Sequence, residues 1–275
     1  AKQSLELENV FVMSNRRADT QDIRPLDIII LNLMPTKIVT ETQLLRLLSN
    51  SPLQINVELL QASTHVSKNT PMEHMLKFYK TFDEIKHNRY DGMIITGAPL
   101  ADLKFEDVDF WDELCEIFAW TKTNVYSTMY LCWGAFAALY YKYGIEPKVL
   151  PEKRFGVYPH FSLDVTHPLM RGMDDVFYVP HSREWELRTS DIAKVKDLQI
   201  ISYSEEAGVH IISDMDCRNF FITGHSEYDR DTLAKEYFRD LEKGLPIKKP
   251  VNYFPNDDIN LVPKMNWKSA GNLIF

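Results

Sequence analysis

The sequence predicts an α/β fold in which a mostly parallel sheet carries helices on both faces and receives antiparallel additions. Three observations predict it. In the first half of the chain, apolar stretches of strand length alternate with segments of helical periodicity, the pattern of a parallel sheet. The next third contains short strand-like stretches with few helical patterns between them. An amphipathic stretch at 229–244 then predicts a closing helix.

The parallel part of the sheet is predicted from four apolar stretches, each followed by a helical pattern. The first of them, LDIIILNL at 26–33, has the continuous hydrophobicity of a strand buried on both faces. The other predicted strands are 55–60, 93–97 and 125–131. A capping-box spacing at Thr40 to Gln43 predicts one helix, and an N-cap at Thr70 followed by Pro71 and Glu73 predicts a second. Amphipathic or apolar helical patterns predict two more at 109–121 and 134–144, and the latter ends at a glycine.

The middle of the chain changes character, because short strand-like stretches follow one another without long helical patterns. These strands are predicted at 155–165, 174–180, 199–204, 208–213 and 219–224. The segment 180–183 is interpreted as a polar loop after a strand. The segment from 245 onwards is rich in Pro, Asn and Asp and is predicted to be mostly loop.

Length, charge and cysteine content exclude several classes of protein. The 275 residues, 45% of them apolar, suffice for one large core, and we predict a single domain over 1–275 with an N-terminal arm at 1–25. The net charge of −8 excludes a uniformly basic nucleic-acid surface, and no apolar run reaches the about 18 residues of a membrane span. Three scattered cysteines and the lack of a signal-peptide pattern predict a reducing, cytoplasmic location.

Cys132 is the strongest candidate for a nucleophile. It directly follows the strand predicted at 125–131 and precedes a helix that begins with small residues. A residue on such a sharp turn is exposed at the carboxyl end of the sheet, and the helix N-terminus favours a thiolate there. The alternative is a buried structural cysteine, which is the usual environment of a free cysteine.

A histidine and a carboxylate follow another predicted strand. His225 and Glu227 come directly after it, so a parallel sheet would place them at the same edge as Cys132. There His225 could deprotonate Cys132, and Glu227 could orient the imidazole, which is the logic of a catalytic triad. The Gly-Ala-Pro turn at 97–99 ends a further strand and could contribute an oxyanion amide.

Glu236 and Arg239 lie three residues apart on the predicted final helix. The simple interpretation is an exposed helical ion pair, and the functional one is an arginine that binds a substrate carboxylate through its planar guanidinium. The sequence contains no phosphate-binding loop, dinucleotide fingerprint or metal-ligand spacing, so no metal and no cofactor is predicted. Cys115, in a helix, and Cys217, in a hairpin turn, are predicted to be structural.

These residues lie in segments that resemble the homoserine O-acyltransferases of bacterial methionine biosynthesis, the homoserine O-succinyltransferase and O-acetyltransferase type. The matching segments cover nearly the whole chain in the same order, and they include ENVFVM, IRPLDIIILNLMPTK, TGAPL, CWGA, LPEK, RGMDDVFYVPHSR and TGHSEYDRDTL. The resemblance implies a class I glutamine-amidotransferase-like, flavodoxin-like fold and a homodimer, with the N-terminal arm as a candidate contact. It also implies small-molecule substrates rather than nucleic acid or membrane.

The resemblance further implies a role for each matching position. Cys132 corresponds to the nucleophile that takes the acyl group from acyl-CoA, His225 to the general base, and Glu227 to the partner of that base. The reaction would be ping-pong, with acetyl-CoA or succinyl-CoA as co-substrate and no bound cofactor. Lys37 falls in the MPTK segment, and its role stays open. The substrate-binding positions of the family fall on Lys153, Ser182, Glu236 and Arg239.

Some positions depart from the family pattern. Ala101 stands where acetyl-using members carry Glu and succinyl-using members carry Gly, and the small alanine would block neither acyl group. The segments FEDVDFW and SEEAG favour acetyl. Tyr130 and Phe136 replace a His and a Gln that are common around the nucleophile, and Ala270 replaces a histidine. The family pattern also leads us to expect a further aromatic segment beyond Phe275.

Three enzymatic functions therefore stay open on the sequence, while the joint presence of Cys132, His225, Glu227 and Arg239 argues against a non-catalytic binding or sensor protein. The leading one is acylation of the hydroxyl of L-homoserine, with acetyl favoured over succinyl. The second is an L-serine O-acetyltransferase of cysteine biosynthesis, because one methylene in a pocket is worth only about 1–3 kcal/mol of discrimination. The third is a glutaminase-like hydrolase, although Tyr130 stands where amidotransferase nucleophile loops usually carry a glycine.

Overall fold

The computed structural model describes residues 2–7, 24–64 and 70–275. The strands are β1 (Leu26–Leu31), β2 (Ile55–Leu60), β3 (Tyr79–Lys80), β4 (Tyr90–Ile95), β5 (Val125–Leu131), β6 (Lys148–Ser162), β7 (Val176–Glu186), β8 (Leu198–Ser204), β9 (Gly208–Asp214) and β10 (Asn219–Ile222). The helices are α1 (Lys2–Leu7), α2 (Lys37–Leu48), α3 (Met72–Phe78), α4 (Phe82–Ile85), α5 (Trp111–Asn124), α6 (Trp133–Tyr143), α7 (Thr189–Ile192), α8 (Thr232–Glu242) and α9 (Lys268–Ile274). Short 3₁₀ helices lie at Phe105–Asp107, Pro168–Met170 and Pro255–Asp257.

Most of the predicted N-terminal arm, 8–23, lies outside the described residues, and the prediction of a dimer contact in the arm falls there too. The described part of the arm includes the short helix α1, in which Leu5 is buried. Among the helices that the structure describes, none combines the length and the hydrophobicity that crossing a membrane requires.

The sheet has a parallel half and an antiparallel half. Its strand order is β3-β2-β1-β4-β5-β10-β9-β8-β6-β7. The strands from β3 to β10 in this order run parallel to their neighbours, whereas the pairs from β10 to β7 are antiparallel. The predicted parallel sheet with antiparallel additions is therefore confirmed. This order places the carboxyl ends of β1, β4, β5 and β10 at one edge of the sheet.

The central strand β1 is buried on both faces. Ile29 and Leu31 point into one hydrophobic cluster, which also contains Phe118 of α5, and Ile30 points into a second cluster with Leu44 of α2. All five side chains are inaccessible to solvent. Successive side chains of a strand alternate between faces, so a continuous run of apolar residues requires helices on both sides.

Helix α2 begins at Lys37, earlier than the capping-box spacing at Thr40 predicts. The Thr40 hydroxyl donates to the carbonyl of Thr36 at 3.3 Å, so it bonds within the first turn instead of capping it. The buried Lys37 ammonium donates to the carbonyl of Asn32 and joins the first turn of α2 to the end of β1. This tertiary contact extends the helix beyond its local capping signal.

Two other local predictions were wrong. Helix α3 begins at Met72, with Pro71 rather than Thr70 as its N-cap. The segment 180–183, predicted as a loop, lies inside β7, because it pairs with β6. The segment from 245 onwards is mostly loop, as predicted, and it also contains the short helix α9, whose buried residues pack on the second cluster.

The antiparallel half of the sheet comes back over the carboxyl edge of the parallel half. The amide of His225, in the loop after β10, donates to the carbonyl of Pro180 in β7 at 2.8 Å. A Cβ atom on Gly224 would lie only 2.5 Å from Cγ1 of Val179, so glycine is required for this approach. The contact brings the residues that follow Pro180 in β7 to the edge where β5 ends.

A second close approach predicts a stability effect at Gly134 in the first turn of α6. A Cβ atom there would lie 2.7 Å from the carbonyl oxygen of Thr96 and 3.1 Å from that of Ile95. We expect Gly134→Ala to lower the free energy of unfolding by about 1–3 kcal/mol, measured by chemical denaturation. Gly144→Asn is the matched control, because Gly144 ends the same helix at φ +66° with nothing within 4 Å and asparagine tolerates that conformation. Equal stability of the Gly134 variant and the wild type would contradict the prediction.

Candidate active site

Cys132 lies at the sharp turn between β5 and α6. Its φ angle is +47°, which is unusual for a residue other than glycine, and it is the N-cap residue of α6. Its amide donates to the carbonyl of Ile222 at 2.7 Å, which ties the turn to the end of β10. Strained backbone of this kind at a strand-to-helix turn directs a side chain out of the carboxyl edge of the sheet.

The turn after β4 lies directly against this cysteine. A Cβ atom on Gly97 would be 3.2 Å from Cβ of Cys132, so the absence of a side chain allows the two turns to touch. Ala98, which follows Gly97 in its turn, and Trp133, which follows Cys132, line the same cavity as Cys132. Their backbone amides are the candidates for the oxyanion site that the sequence suggested in the Gly-Ala-Pro turn.

His225 and Glu227 meet Cys132 at this edge. Nδ1 of His225 donates to Oε1 of Glu227 at 2.7 Å, and His225 also hydrogen-bonds to Cys132. Burial by itself would lower the pKa of His225, but the negative charges of Cys132 and Glu227 outweigh it and raise this pKa to about 10. The partly buried Tyr228 ring stacks on the imidazole with 4.2 Å between ring centroids and holds its plane.

A cavity of about 550 Å³ opens above Cys132 at the carboxyl edge of the sheet. The loop before α2, the turn after β4, β6, β7, the loop after β10 and α8 all contribute to its walls. Most predicted site residues line it: Ala101, Cys132, Lys153, Ser182, His225, Glu236 and Arg239. Glu227 lies behind His225 and lines a second cavity instead. Lys37 is buried, and burial lowers its pKa to about 8.

Glu236 is the centre of a polar group in the cavity wall. Its Oε1 accepts from Lys153 Nζ at 2.5 Å and from the Ser182 hydroxyl at 2.8 Å. These residues come from α8, β6 and β7, so three of the four predicted substrate-binding positions are joined through a single carboxylate oxygen. Glu236 is not paired with Arg239 in the exposed helical ion pair that was the simple interpretation of the sequence.

Arg239 lies at the entrance of the cavity. Its Nε and Nη2 both contact Oδ1 of Asp240 at 2.7 Å, and the side chain is 55% exposed. The hydrogen bond from Arg239 also lowers the pKa of the Asp240 carboxyl. A guanidinium oriented in this way still has the protons of Nη1 available for an anionic ligand.

The positions that depart from the family pattern lie in different environments. Ala101 and Phe136 line the cavity, so both contribute to its shape. Tyr130 is buried in the core, where its ring stacks on Phe221 at 5.0 Å and its hydroxyl donates to Asn219. Ala270 is buried in α9, away from the cavity lining.

Sequence reasoning missed two residues of this site. Tyr228 was not singled out, and Arg183 was assigned to a loop, yet both line the cavity. Tyr228 directly follows the His-x-Glu motif, and this position next to the predicted base could have indicated that it belongs to the site. Arg183 reaches the cavity only because β7 comes back over the sheet edge, and no local pattern indicates that.

Comparison with known proteins gives one family. The model of a family described as homoserine O-succinyltransferase matches residues 1–275. A homoserine O-acetyltransferase of Acetivibrio thermocellus is 57% identical over all of this chain and 90% of its own length, and one of Clostridium beijerinckii gives the same values. A homoserine O-acetyltransferase of Geobacillus kaustophilus is 56% identical over all of this chain and 91% of its own.

Solved structures with this fold are much more distant in sequence. A glutamine amidotransferase from Thermotoga maritima aligns with a TM-score of 0.57 and 12% identity, over 90% of this chain and 91% of that one. A glutamine amidotransferase from Methylobacillus flagellatus aligns with a TM-score of 0.57 and 12% identity, over 92% and 93%. At such identity the similarity concerns the fold, and the class I glutamine-amidotransferase-like architecture is confirmed.

Proposed function

The chain belongs to the homoserine O-succinyltransferase family and is a homoserine O-acyltransferase, and we propose that it transfers an acetyl group from acetyl-CoA through an acyl-cysteine at Cys132. The observation that carries this proposal is the arrangement of Cys132 and His225 in one cavity, with Glu227 hydrogen-bonded to His225 from behind. A nucleophile, a base and a group that orients the base are the three parts that acyl transfer through a covalent intermediate needs.

Acetyl is the donor that we favour over succinyl. Relatives at 56–57% identity over the whole chain are named homoserine O-acetyltransferases, although the family as a whole is named for succinyl transfer. The small side chain of Ala101 in the cavity wall leaves room for either acyl group, so the wall itself does not select between the two donors.

In the first half-reaction, the Cys132 thiolate attacks the thioester carbonyl of the donor. The amides of Ala98 and Trp133 would stabilise the resulting oxyanion. When the carbon–sulfur bond to CoA breaks, the imidazolium of His225 gives its proton to the departing CoA thiolate. The products are acyl-Cys132, CoA thiol and a neutral imidazole.

Acylation also prepares His225 for the second half-reaction. The negative charges of Cys132 and Glu227 both raise the pKa of His225, and a thioester at Cys132 carries no charge, so acylation lowers this pKa and makes the neutral imidazole easier to form. Neutral His225 accepts the proton of the homoserine hydroxyl as its oxygen attacks acyl-Cys132. Departure of Cys132 as thiolate restores the ion pair with the imidazolium.

The charged groups of the cavity wall fit an amino-acid acceptor. Arg239, oriented by Asp240, would bind the α-carboxylate of homoserine. Glu236 would receive the α-ammonium group in place of, or beside, its present donor Lys153. Carboxylate and ammonium recognition of this kind fixes the amino-acid backbone and leaves the hydroxyl to reach Cys132.

The test is the release of CoA from acetyl-CoA and from succinyl-CoA, each with L-homoserine, L-serine or no acceptor. We expect acceptor-dependent release with acetyl-CoA and homoserine, together with a mass increase of one acetyl group on Cys132 when the acceptor is left out. Turnover with serine alone would assign the chain to serine acetylation. Donor hydrolysis that is independent of any acceptor would favour the hydrolase.

The donor preference gives a prediction for Ala101. A carboxylate introduced there would repel the terminal carboxylate of a succinyl group but not an acetyl group, so we expect Ala101→Glu to lower kcat/KM for succinyl-CoA by about 10- to 100-fold. The value for acetyl-CoA should change less than about 3-fold. Ala101→Gly is the matched control and should leave both donors within the same factor. An equal loss with both donors would mean that position 101 does not contact the acyl group.

A further inference from the structure

Three histidines that the proposed function does not use lie together in the antiparallel half of the sheet. His160 of β6, His181 of β7 and His210 of β9 are completely buried, and one ring nitrogen of each lies within 4.8 Å of the others. Burial lowers the pKa of His160 to about 3 and lowers the pKa values of His181 and His210 well below the usual value. Each ring is therefore neutral, with one N–H donor and one lone-pair acceptor.

The neighbours of these rings determine where two of the protons lie. Nε of Arg183 can only donate, and it contacts Nδ1 of His181 at 3.1 Å, so this nitrogen is an acceptor. The proton of His181 is then on Nε2, which donates to Nε2 of His160 at 3.1 Å. Nδ1 of His160 donates in turn to the carbonyl of Tyr158 at 2.9 Å. We call this sequence of hydrogen bonds, from Arg183 through His181 and His160 to Tyr158, the histidine chain.

The same proton positions argue against a metal ion between the three rings. A metal at Nε2 of His181 would have to displace the proton that this nitrogen carries, while Arg183 still donates to the other nitrogen of the ring. It would also add positive charge beside a buried guanidinium. His210 packs edge-on against His160 with 4.6 Å between centroids, and its ring nitrogens have no hydrogen-bond partner among the described residues.

Arg183, at the start of the histidine chain, is a buried cation held by uncharged acceptors. Besides His181, it donates to the backbone carbonyls of Trp185 and Ala207. These acceptors fix the plane of the guanidinium but do not neutralise its charge. Burial lowers the pKa of Arg183 to about 10, so the group is charged at neutral pH.

Arg183 lies in the wall of the cavity that contains the nucleophile. Arg183 and Cys132 line the same cavity and attract each other electrostatically. We propose that Arg183 supplies a fixed positive charge that favours the Cys132 thiolate, and that the histidine chain positions it. This inference rests on the proposed role of Cys132 as nucleophile, and it makes His181 and His160 positioning residues.

Several other polar and charged groups contribute to the electrostatic environment of Cys132 and Arg183. Cys132 faces the imidazolium of His225 from the loop after β10 and the hydroxyl of Tyr228, which is neutral because burial raises its pKa well above the usual value. Arg183 is influenced by Glu186 on its own strand and by Arg154 and Tyr158 on β6. The variants of His181 and His160 replace none of these groups, so the charged side chains around Cys132 and Arg183 stay the same in every variant.

The test is the rate at which iodoacetamide alkylates Cys132, followed by peptide mass mapping so that Cys115 and Cys217 are counted separately. We expect His181→Leu, which leaves Nε of Arg183 without an acceptor, to slow alkylation at pH 7 by about 10-fold and to move the pH profile of the rate to higher pH. His181→Asn places an amide oxygen near the position of Nδ1, and its rate should be within about 2-fold of the wild type.

Two further variants keep the test decisive. His160→Phe removes the acceptor of His181 Nε2 without touching the cavity lining, and it should slow alkylation by about 3-fold in the same direction. His210→Phe, in the same cluster but outside the histidine chain, should alkylate at the wild-type rate. Folded His181→Leu and His160→Phe proteins that alkylate like the wild type would overturn the proposal, and so would equal slowing in His181→Leu and His181→Asn.

Two measurements distinguish the proposed role of Arg183 from the proposed acyl-transfer function and from a metal site at the three histidines. Alkylation needs neither acyl-CoA nor an acceptor. If the variants alkylate at the expected rates but no acyl transfer is found, the proposed function is contradicted and the role of Arg183 is not. Calorimetric titration of the chelator-treated protein with Zn²⁺ tests the cluster for metal. Equimolar binding that His210→Phe abolishes would overturn the histidine chain, and we expect wild type and His210→Phe to behave alike.

Discussion

Replacing Cys132 by alanine is expected to lower kcat by about 10⁴- to 10⁶-fold with acetyl-CoA and homoserine, because the acyl group then has no nucleophile to carry it. Cys132→Ser should be nearly as inactive, since a hydroxyl is not ionised near neutral pH in the way that a thiol is. The measurements are steady-state CoA release and intact-protein mass after incubation with acetyl-CoA alone. Only the wild type should gain the mass of one acetyl group.

The chain offers controls for this experiment in its other free cysteines. Cys115 lies in α5 and Cys217 in the turn before β10, and neither lines the cavity above Cys132. We expect Cys115→Ala and Cys217→Ala to retain activity within about 3-fold. Substantial acetyl transfer by Cys132→Ala would contradict the acyl-cysteine mechanism and point to direct attack of the acceptor on the donor.

Replacing His225 by asparagine is the second change with a large expected effect. Asparagine can accept and donate hydrogen bonds but cannot transfer a proton, so both half-reactions lose their acid and base, and we expect kcat to fall by about 10²- to 10⁴-fold. The imidazolium beside Cys132 is also lost, so alkylation of Cys132 by iodoacetamide near pH 7 should slow. The raised pKa of His225, about 10, means that the wild type keeps this imidazolium across the neutral range.

A second cysteine–histidine contact provides the matched control. His167 Nε2 lies 3.4 Å from Sγ of Cys217, and His167 is buried like His225, yet neither residue lines the cavity. His167→Asn should therefore leave kcat within about 3-fold of the wild type, even if it lowers stability. A His225→Asn enzyme with near-normal kcat would assign the proton transfers to another group.

The parallel half of the fold was predictable from sequence because its signals are local. The run at 26–33 is apolar throughout, and the structure buries β1 on both faces. The strand at 125–131 was predicted with the bounds that the structure has. Helix starts were less predictable, since Lys37 begins α2 through a contact with Asn32 that no capping pattern includes.

The candidate site was predictable where its residues follow parallel strands. Cys132, His225 and Glu227 are separated in sequence, but each follows a strand of the parallel sheet, and neighbouring parallel strands end at one edge. Lys153 and Ser182 were identified only through the family resemblance, whereas Glu236 and Arg239 were also singled out by their spacing on the predicted final helix. The roles of Cys132 and His225 are predictions that the experiments above test.

The sequence by itself determined the fold class, the family and the edge of the sheet where the chemistry lies, because periodicity and strand-end motifs are encoded in consecutive residues. Only the tertiary structure decided what surrounds the nucleophile. The return of β7 to the loop after β10, through the bond from His225 to Pro180, brings Ser182 and Arg183 into the cavity. It also aligns His181 with His160, and such contacts depend on how distant strands curve and pair, which no local pattern specifies.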